Sequence, residues 1–100
     1  MIRAATIELI GEDPREHGLY DKYEPVKRKV YAEVRSVGMR ESYEARSLGL
    51  MPELRFTLTL AEDYRDERQL IYNGNRYKIL RTYMAGDGIE LTCERMIGNV

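Results

Sequence analysis

Val30–Pro52, VYAEVRSVGMRESYEARSLGLMP, changes period in its middle. Val30, Ala32 and Val34 alternate with Tyr31, Glu33 and Arg35, the period of two of a strand with one buried face. The alternation stops at Gly38. A helix follows over about Arg40–Leu48, with Glu41 at its start and Arg46 near its end to suit the helix dipole. Gly49 fits the left-handed position after a helix end, and Pro52 blocks continuation. A helix this short is not stable alone, so it must lean on the sheet or on a neighbouring molecule. Met39, Tyr43 and Arg46 share one face with Leu50. Tyr43 is then either a core residue or an interface residue, and two different outcomes of mutation separate them.

The flanking sequence reads mostly as strands. Ile2–Ile10 is a first strand and Val26–Val37 the second. Leu54–Leu60, LRFTLTL, alternates cleanly, with Leu54, Phe56, Leu58 and Leu60 on one face. Ala61–Arg68, AEDYRDER, is an acidic turn. Gln69–Tyr72 and Asn75–Met84 form a hairpin about Asn73-Gly74, a strong hairpin signal. Its register stays open, since a two-residue and a three-residue turn both fit YNGN. Ala85–Gly88, AGDG, is a second tight turn. Ile89–Met96 closes the chain, with Ile89, Leu91 and Cys93 inward and Glu90, Thr92 and Glu94 outward. Residues 97–100 fray. About six mostly antiparallel strands, one short α-helix and one long N-terminal loop give a mainly β fold, a small barrel or sandwich. No linker interrupts it, so residues 1–100 form a single domain.

Gly11–Pro25, GEDPREHGLYDKYEP, is the long loop. Two glycines, two prolines and a block of acids leave no regular element there. Loops of this length in small domains are functional or disordered. Leu19, Tyr20 and Tyr23 are its large apolar residues, and they dock on the domain or on a partner. Glu12, Asp13, Glu16, Asp21 and Glu24 against Arg15 and Lys22 leave the loop at −3. Val26–Arg35 opposes Lys27, Arg28, Lys29 and Arg35 to Glu33, a net of +3. Adjacent blocks of opposite sign are a solvated surface or steer one copy onto another. Lys27, Arg28 and Lys29 are the candidate basic strand face.

The formal charge of −1 argues against a domain built to grip nucleic acid, which needs a basic surplus. Eight tyrosines, one phenylalanine and no tryptophan suit half-buried strands and wet interfaces. Cys93 is single and sits in an alternating run, so it reads as a buried strand thiol and not a nucleophile. His17 has no second ligand nearby, and no metal site is expected. Glu12/Asp13 and Glu62/Asp63 lie in polar turns as solvated charge. No phosphate loop, C-x-x-C or H-x-x-x-H is present. No catalytic residue, cofactor or metal is expected. The start, MIRAATIEL, lacks an apolar core of signal-peptide length, and no segment reaches membrane-span length.

The order of these features resembles the head–tail joining family, the head closure or stopper proteins of long-tailed bacteriophages. VYAEVRSV (30–37) leads into SYEA (42–45). MPELRF follows at 51–56, then YNGNRYKILRTY at 72–83, closed by IELTCE at 89–94. The resemblance covers roughly residues 3–96. It implies a small barrel with a short helix and a long mobile loop. It implies a virion protein, made in the bacterial host cytoplasm, that forms a ring beneath the portal and adaptor. Such a ring closes the channel against DNA leakage and presents a docking surface for the tail. The implied partners are the portal or adaptor ring, a tail-completion or tail-terminator protein, and further copies of the chain. Packaged DNA lies nearby without specific binding, and no membrane is involved. The loop residues Glu12, Asp13, Glu16, Leu19, Tyr20 and Tyr23 match the family's channel loop. Arg40, Glu41, Tyr43, Glu44 and Arg46 are candidate partner contacts on the helix. Two other functions fit the pattern: a tail-completion or tail-terminator ring, and a small-barrel module binding peptide or nucleic acid. The binding module requires an exposed basic or aromatic strand face, for which Tyr31, Tyr72, Tyr77 and Tyr83 are candidates.

Overall fold

The computed structural model describes residues 3–12 and 25–97. Six antiparallel strands close into a barrel in the order β1-β2-β3-β6-β5-β4. They are β1 (Arg3–Glu12), β2 (Pro25–Ser36), β3 (Leu54–Leu58), β4 (Gln69–Tyr72), β5 (Asn75–Ala85) and β6 (Gly88–Arg95). The helix α1 (Met39–Arg46) lies between β2 and β3. A 3₁₀ turn at Ala61–Asp63 lies between β3 and β4. Closure pairs every strand on both sides over part of its length and leaves edges only where longer strands run past shorter neighbours.

The alternation of the sequence becomes the barrel wall. Ile7 and Leu9 of β1, Ala32 and Val34 of β2, Phe56 and Leu58 of β3, Leu70 of β4, Tyr77 of β5, and Ile89, Leu91 and Cys93 of β6 fill the interior. Phe56 meets Tyr72 and Tyr77 edge-on, with ring centroids 5.4 and 5.7 Å away. These geometries suit the aromatic quadrupole. Burial pushes the Cys93 thiol well above its ordinary range.

Several expected boundaries move. The first hairpin is longer than expected: Gly11 pairs with Val26 and Glu12 with Pro25. Both residues therefore belong to strands and not to the loop, because each finds a ladder partner directly opposite. Pro25 stands at the first position of its strand, where a missing N–H is tolerated. Asp13, Glu16, Leu19, Tyr20, Tyr23 and His17 lie outside the described residues. Leu60 is exposed, because β3 ends at Leu58 and the chain turns away before the next inward position. Thr92 is buried although it faces outward, since Arg55 and Arg81 flank it in register on either side.

The Asn73-Gly74 turn has two residues, with Tyr72 opposite Asn75. Both turn residues have positive φ, 51° and 78°, as a type I′ turn requires. Helix α1 ends in a Schellman pattern. Gly49 N–H donates to Arg46 O, Leu50 N–H donates to Ala45 O, and Gly49 has φ 80°.

One irregularity decides which residues face α1. In β5 the register shifts between Ile79 and Arg81, a β-bulge at Leu80. Ile79 lies opposite inward-facing Cys93, whereas Arg81 lies opposite Thr92 and Tyr83 opposite Glu90. An unbroken strand would have put Arg81 and Tyr83 inside with Tyr77 and Ile79. The bulge turns them outward.

Candidate functional site

No residue of α1 is buried. Its attachment to the barrel is ionic. The Glu41 carboxylate accepts a hydrogen bond from Arg55 of β3 and lies 2.6 Å from Arg81 Nη2 of β5. Arg55 Nε is also 3.4 Å from Glu90 of β6. Burial alone would raise the Glu41 pKa. The hydrogen bonds and charges of Arg55 and Arg81 more than offset it, holding the carboxyl below its ordinary 4.5. Main-chain bonds fix the segment after the helix: Glu53 N–H donates to Cys93 O at 2.8 Å, and Met51 N–H donates to a Glu94 carboxylate oxygen at 2.7 Å.

Glu41 is therefore not a free partner contact. It faces the barrel and is already paired. Arg40, Tyr43, Glu44 and Arg46 are exposed, and Arg40 pairs with Glu44 at 3.6 Å along the helix. Tyr43 is 69% exposed, so the core reading of this residue is overturned. Met39, Leu48 and Met51 are also exposed, which puts four large apolar side chains on one short segment. Tyr83 lies two residues beyond Arg81 on the same outer face of β5 and is exposed as well. Met84 is exposed on the opposite face of the strand, in register with Ile89. Soluble monomers rarely gather apolar surface in this way without a partner.

The basic strand face does not form as a set of three. Lys27 and Lys29 are exposed on the outer face of β2, but Arg28 lies between them and points to the inner face. There Arg28 Nε and Nη2 donate to Glu67 Oε2 at 3.1 and 2.5 Å, and Nη2 also donates to Asp63 O at 2.8 Å. Glu67 Oε1 accepts from Arg65 N–H at 2.7 Å, and Tyr64 Oη donates to Glu67 O at 2.7 Å. The acidic turn is thus a plug over the hairpin, with Glu67 only 6% exposed. Composition hid this carboxylate among solvated neighbours. The signal that could have found it was strand parity, which turns Arg28 away from Lys27 and Lys29.

The four candidate stacking tyrosines separate as well. Tyr77 is buried and Tyr72 packs on Phe56, while Tyr31 and Tyr83 are exposed on strands that do not pair. They form no single stacking platform. Among the described residues no group of three or more His, Cys, Asp or Glu is placed to hold a metal ion. No described helix is long and apolar enough to cross a membrane. Comparison with protein-family models and with curated proteins finds no match.

Proposed function

We propose that this chain is a structural, non-catalytic virion protein at the head–tail junction of a long-tailed bacteriophage. It assembles as a ring under the portal or adaptor, helps close the DNA channel, and offers the tail a docking surface. Before assembly it resides in the host cytoplasm. The observation that carries the reading is the helix. A short helix with no buried residue, clamped to a closed barrel by Glu41, leaves Met39 and Tyr43 exposed, and the segment after it leaves Leu48 and Met51 exposed. Such a helix serves assembly better than it serves the core. The order of features along the chain, from VYAEVRSV to IELTCE, supports the same reading.

The 13–24 region between β1 and β2 is the proposed channel loop, with Leu19, Tyr20 and Tyr23 docking on neighbours. Its acids repel packaged phosphates and so gate the channel without adhering to DNA. Against the binding-module alternative stand the divided tyrosines and the engagement of Arg28 by Glu67.

Deletion of the gene followed by electron microscopy tests the role. Filled heads that leak DNA beside separate finished tails are expected, and normal virions would overturn the reading. Charge reversal of Asp13 and Glu16 to Lys tests the loop, with Glu12 left intact because it belongs to β1. The variant should fold normally yet fail in DNA retention or release, and normal infectivity would remove the gating role.

A further inference from the structure

The barrel closes through a very short fourth strand. β4 pairs with β1 over Glu8–Ile10 and with β5 over Asn75–Lys78. Two longer strands therefore run past it at opposite ends. Among the described residues, Arg3–Ile7 of β1 and Leu80–Ala85 of β5 have no strand on the side facing β4. Ile7 is fully buried, so the accessible part of the β1 edge is Arg3–Thr6. β2 also has a free stretch, Val26–Ala32, because its pairing with β3 starts at Glu33.

These three edges differ in protection. Natural proteins blunt free edges with charged side chains, especially lysine. The β2 edge carries exposed Lys27 and Lys29 and is blunted in this way. The other two are not. Arg3–Thr6, RAAT, has one charge at its end. Leu80–Ala85, LRTYMA, has one charge, and Glu41 of the same copy already engages it. An unprotected edge of four to six residues is a template for another strand.

We infer that the β5 edge of one copy pairs with the β1 edge of the next, so that the sheet runs β6-β5 of one molecule into β1-β2 of its neighbour. The inference deepens the ring assembly proposed above by naming the contact. Two different edges meet, so the contact is heterologous and repeats, as a ring requires. Side chains agree with it. Outward along β1 are Ala4 and Thr6, both exposed, and Thr6 lies opposite Tyr31, which is 82% exposed. This shelf of small residues backed by a tyrosine would continue the outer face that carries Tyr83. At its margin, Glu33 opposite Ala4 is exposed. No like charges oppose each other across the two edges. Tyr83 and the β5 main chain supply the contact from one copy, and Ala4, Thr6 and Tyr31 supply it from the other.

Cross-linking tests the contact without any phage component. Thr6→Cys and Tyr83→Cys place exposed thiols on the same outer face of the two edges, while native Cys93 stays buried and unreactive. A short bismaleimide is added to each single variant, to their equal mixture and to the double variant. The mixture should give covalent dimer about tenfold or more above either variant alone, because paired edges raise the local thiol concentration. The double variant should give a ladder of dimers, trimers and higher species. Adding Ala4→Lys to Thr6→Cys should suppress the mixed dimer, because lysine blunts the β1 edge. Yields no higher than those of a Glu62→Cys control would overturn the contact. So would a dimer formed by Tyr83→Cys alone, which would mean that β5 pairs with itself. If this contact fails while gene deletion still yields leaking heads, the virion role stands and only its interface is wrong. If cross-linking succeeds while deleted phage are normal, the contact stands and the virion role falls.

Discussion

Glu41 of α1 and Arg81 of β5 meet at 2.6 Å, and this contact exists because a bulge at Leu80 turns Arg81 outward. With Arg55 it makes the helix an ionic attachment rather than an apolar one. The helix can therefore keep its large side chains for something other than its own barrel.

Replacing Glu41 by Gln should loosen α1 and cost about 1–2 kcal/mol, since hydrogen bonds to charged groups exceed neutral ones. The folded pKa of Glu41 lies below its ordinary 4.5. Its contribution is thus present above that value and lost as pH falls through the folded pKa. Urea melts of the two proteins should differ at pH 7 and converge in acid below pH 4.5. A difference that does not shrink would refute the ionic attachment.

The Arg28–Glu67 pair makes a different prediction. Glu67 is nearly buried, so Arg28→Ala would leave its carboxylate without its cation. Either Arg28→Ala or Glu67→Ala should cost about 2–3 kcal/mol, less than a fully buried pair because Arg28 keeps some solvent. The double variant should cost clearly less than the sum of the two. Additive losses in a denaturation cycle would show that the two residues act separately.

Gly88 is required by space. A Cβ there would collide with Leu58 O and lie 3.0 Å from Thr59 O, both main-chain atoms. Gly88→Ala should force β3 and β6 apart and cost about 2–3 kcal/mol, in the manner of overpacking. Gly38 is the opposite case. It caps α1 without a side-chain hydrogen bond, and a Cβ there would meet nothing within 4 Å. Gly38→Asp should stabilise the helix by a few tenths to about 1 kcal/mol, visible as a higher melting temperature.

Tyr43 and Phe56 separate assembly from folding. Phe56→Ala should cost about 3–5 kcal/mol, because it empties the centre of the aromatic cluster. Tyr43→Ala should change monomer stability by less than about 0.5 kcal/mol, as an exposed site does. Its loss should appear instead in particle assembly. A melting temperature lowered as much by Tyr43→Ala as by Phe56→Ala would rule out a surface role.

Local pattern alone determined much of this protein. Alternation located most strands and much of the core, from Ala32 and Val34 through Phe56 and Leu58 to Leu91 and Cys93. Gly49 and Pro52 ended the helix, and Asn73-Gly74 marked the hairpin. Each of these is a property of a few consecutive residues, governed by backbone dihedrals and side-chain parity. The tertiary structure decided what depends on a partner far along the chain. Gly11, Glu12 and Pro25 became strand because ladder partners stood opposite them. Arg28 left the basic face because Glu67 awaited it on the inner side. Leu80 bulged, and that extra residue reversed the parity of Arg81 and Tyr83, which no periodicity in NRYKILRTYMA reveals. Hydrogen-bond register between strands is a long-range choice, and one residue of slip exchanges the two faces of everything that follows.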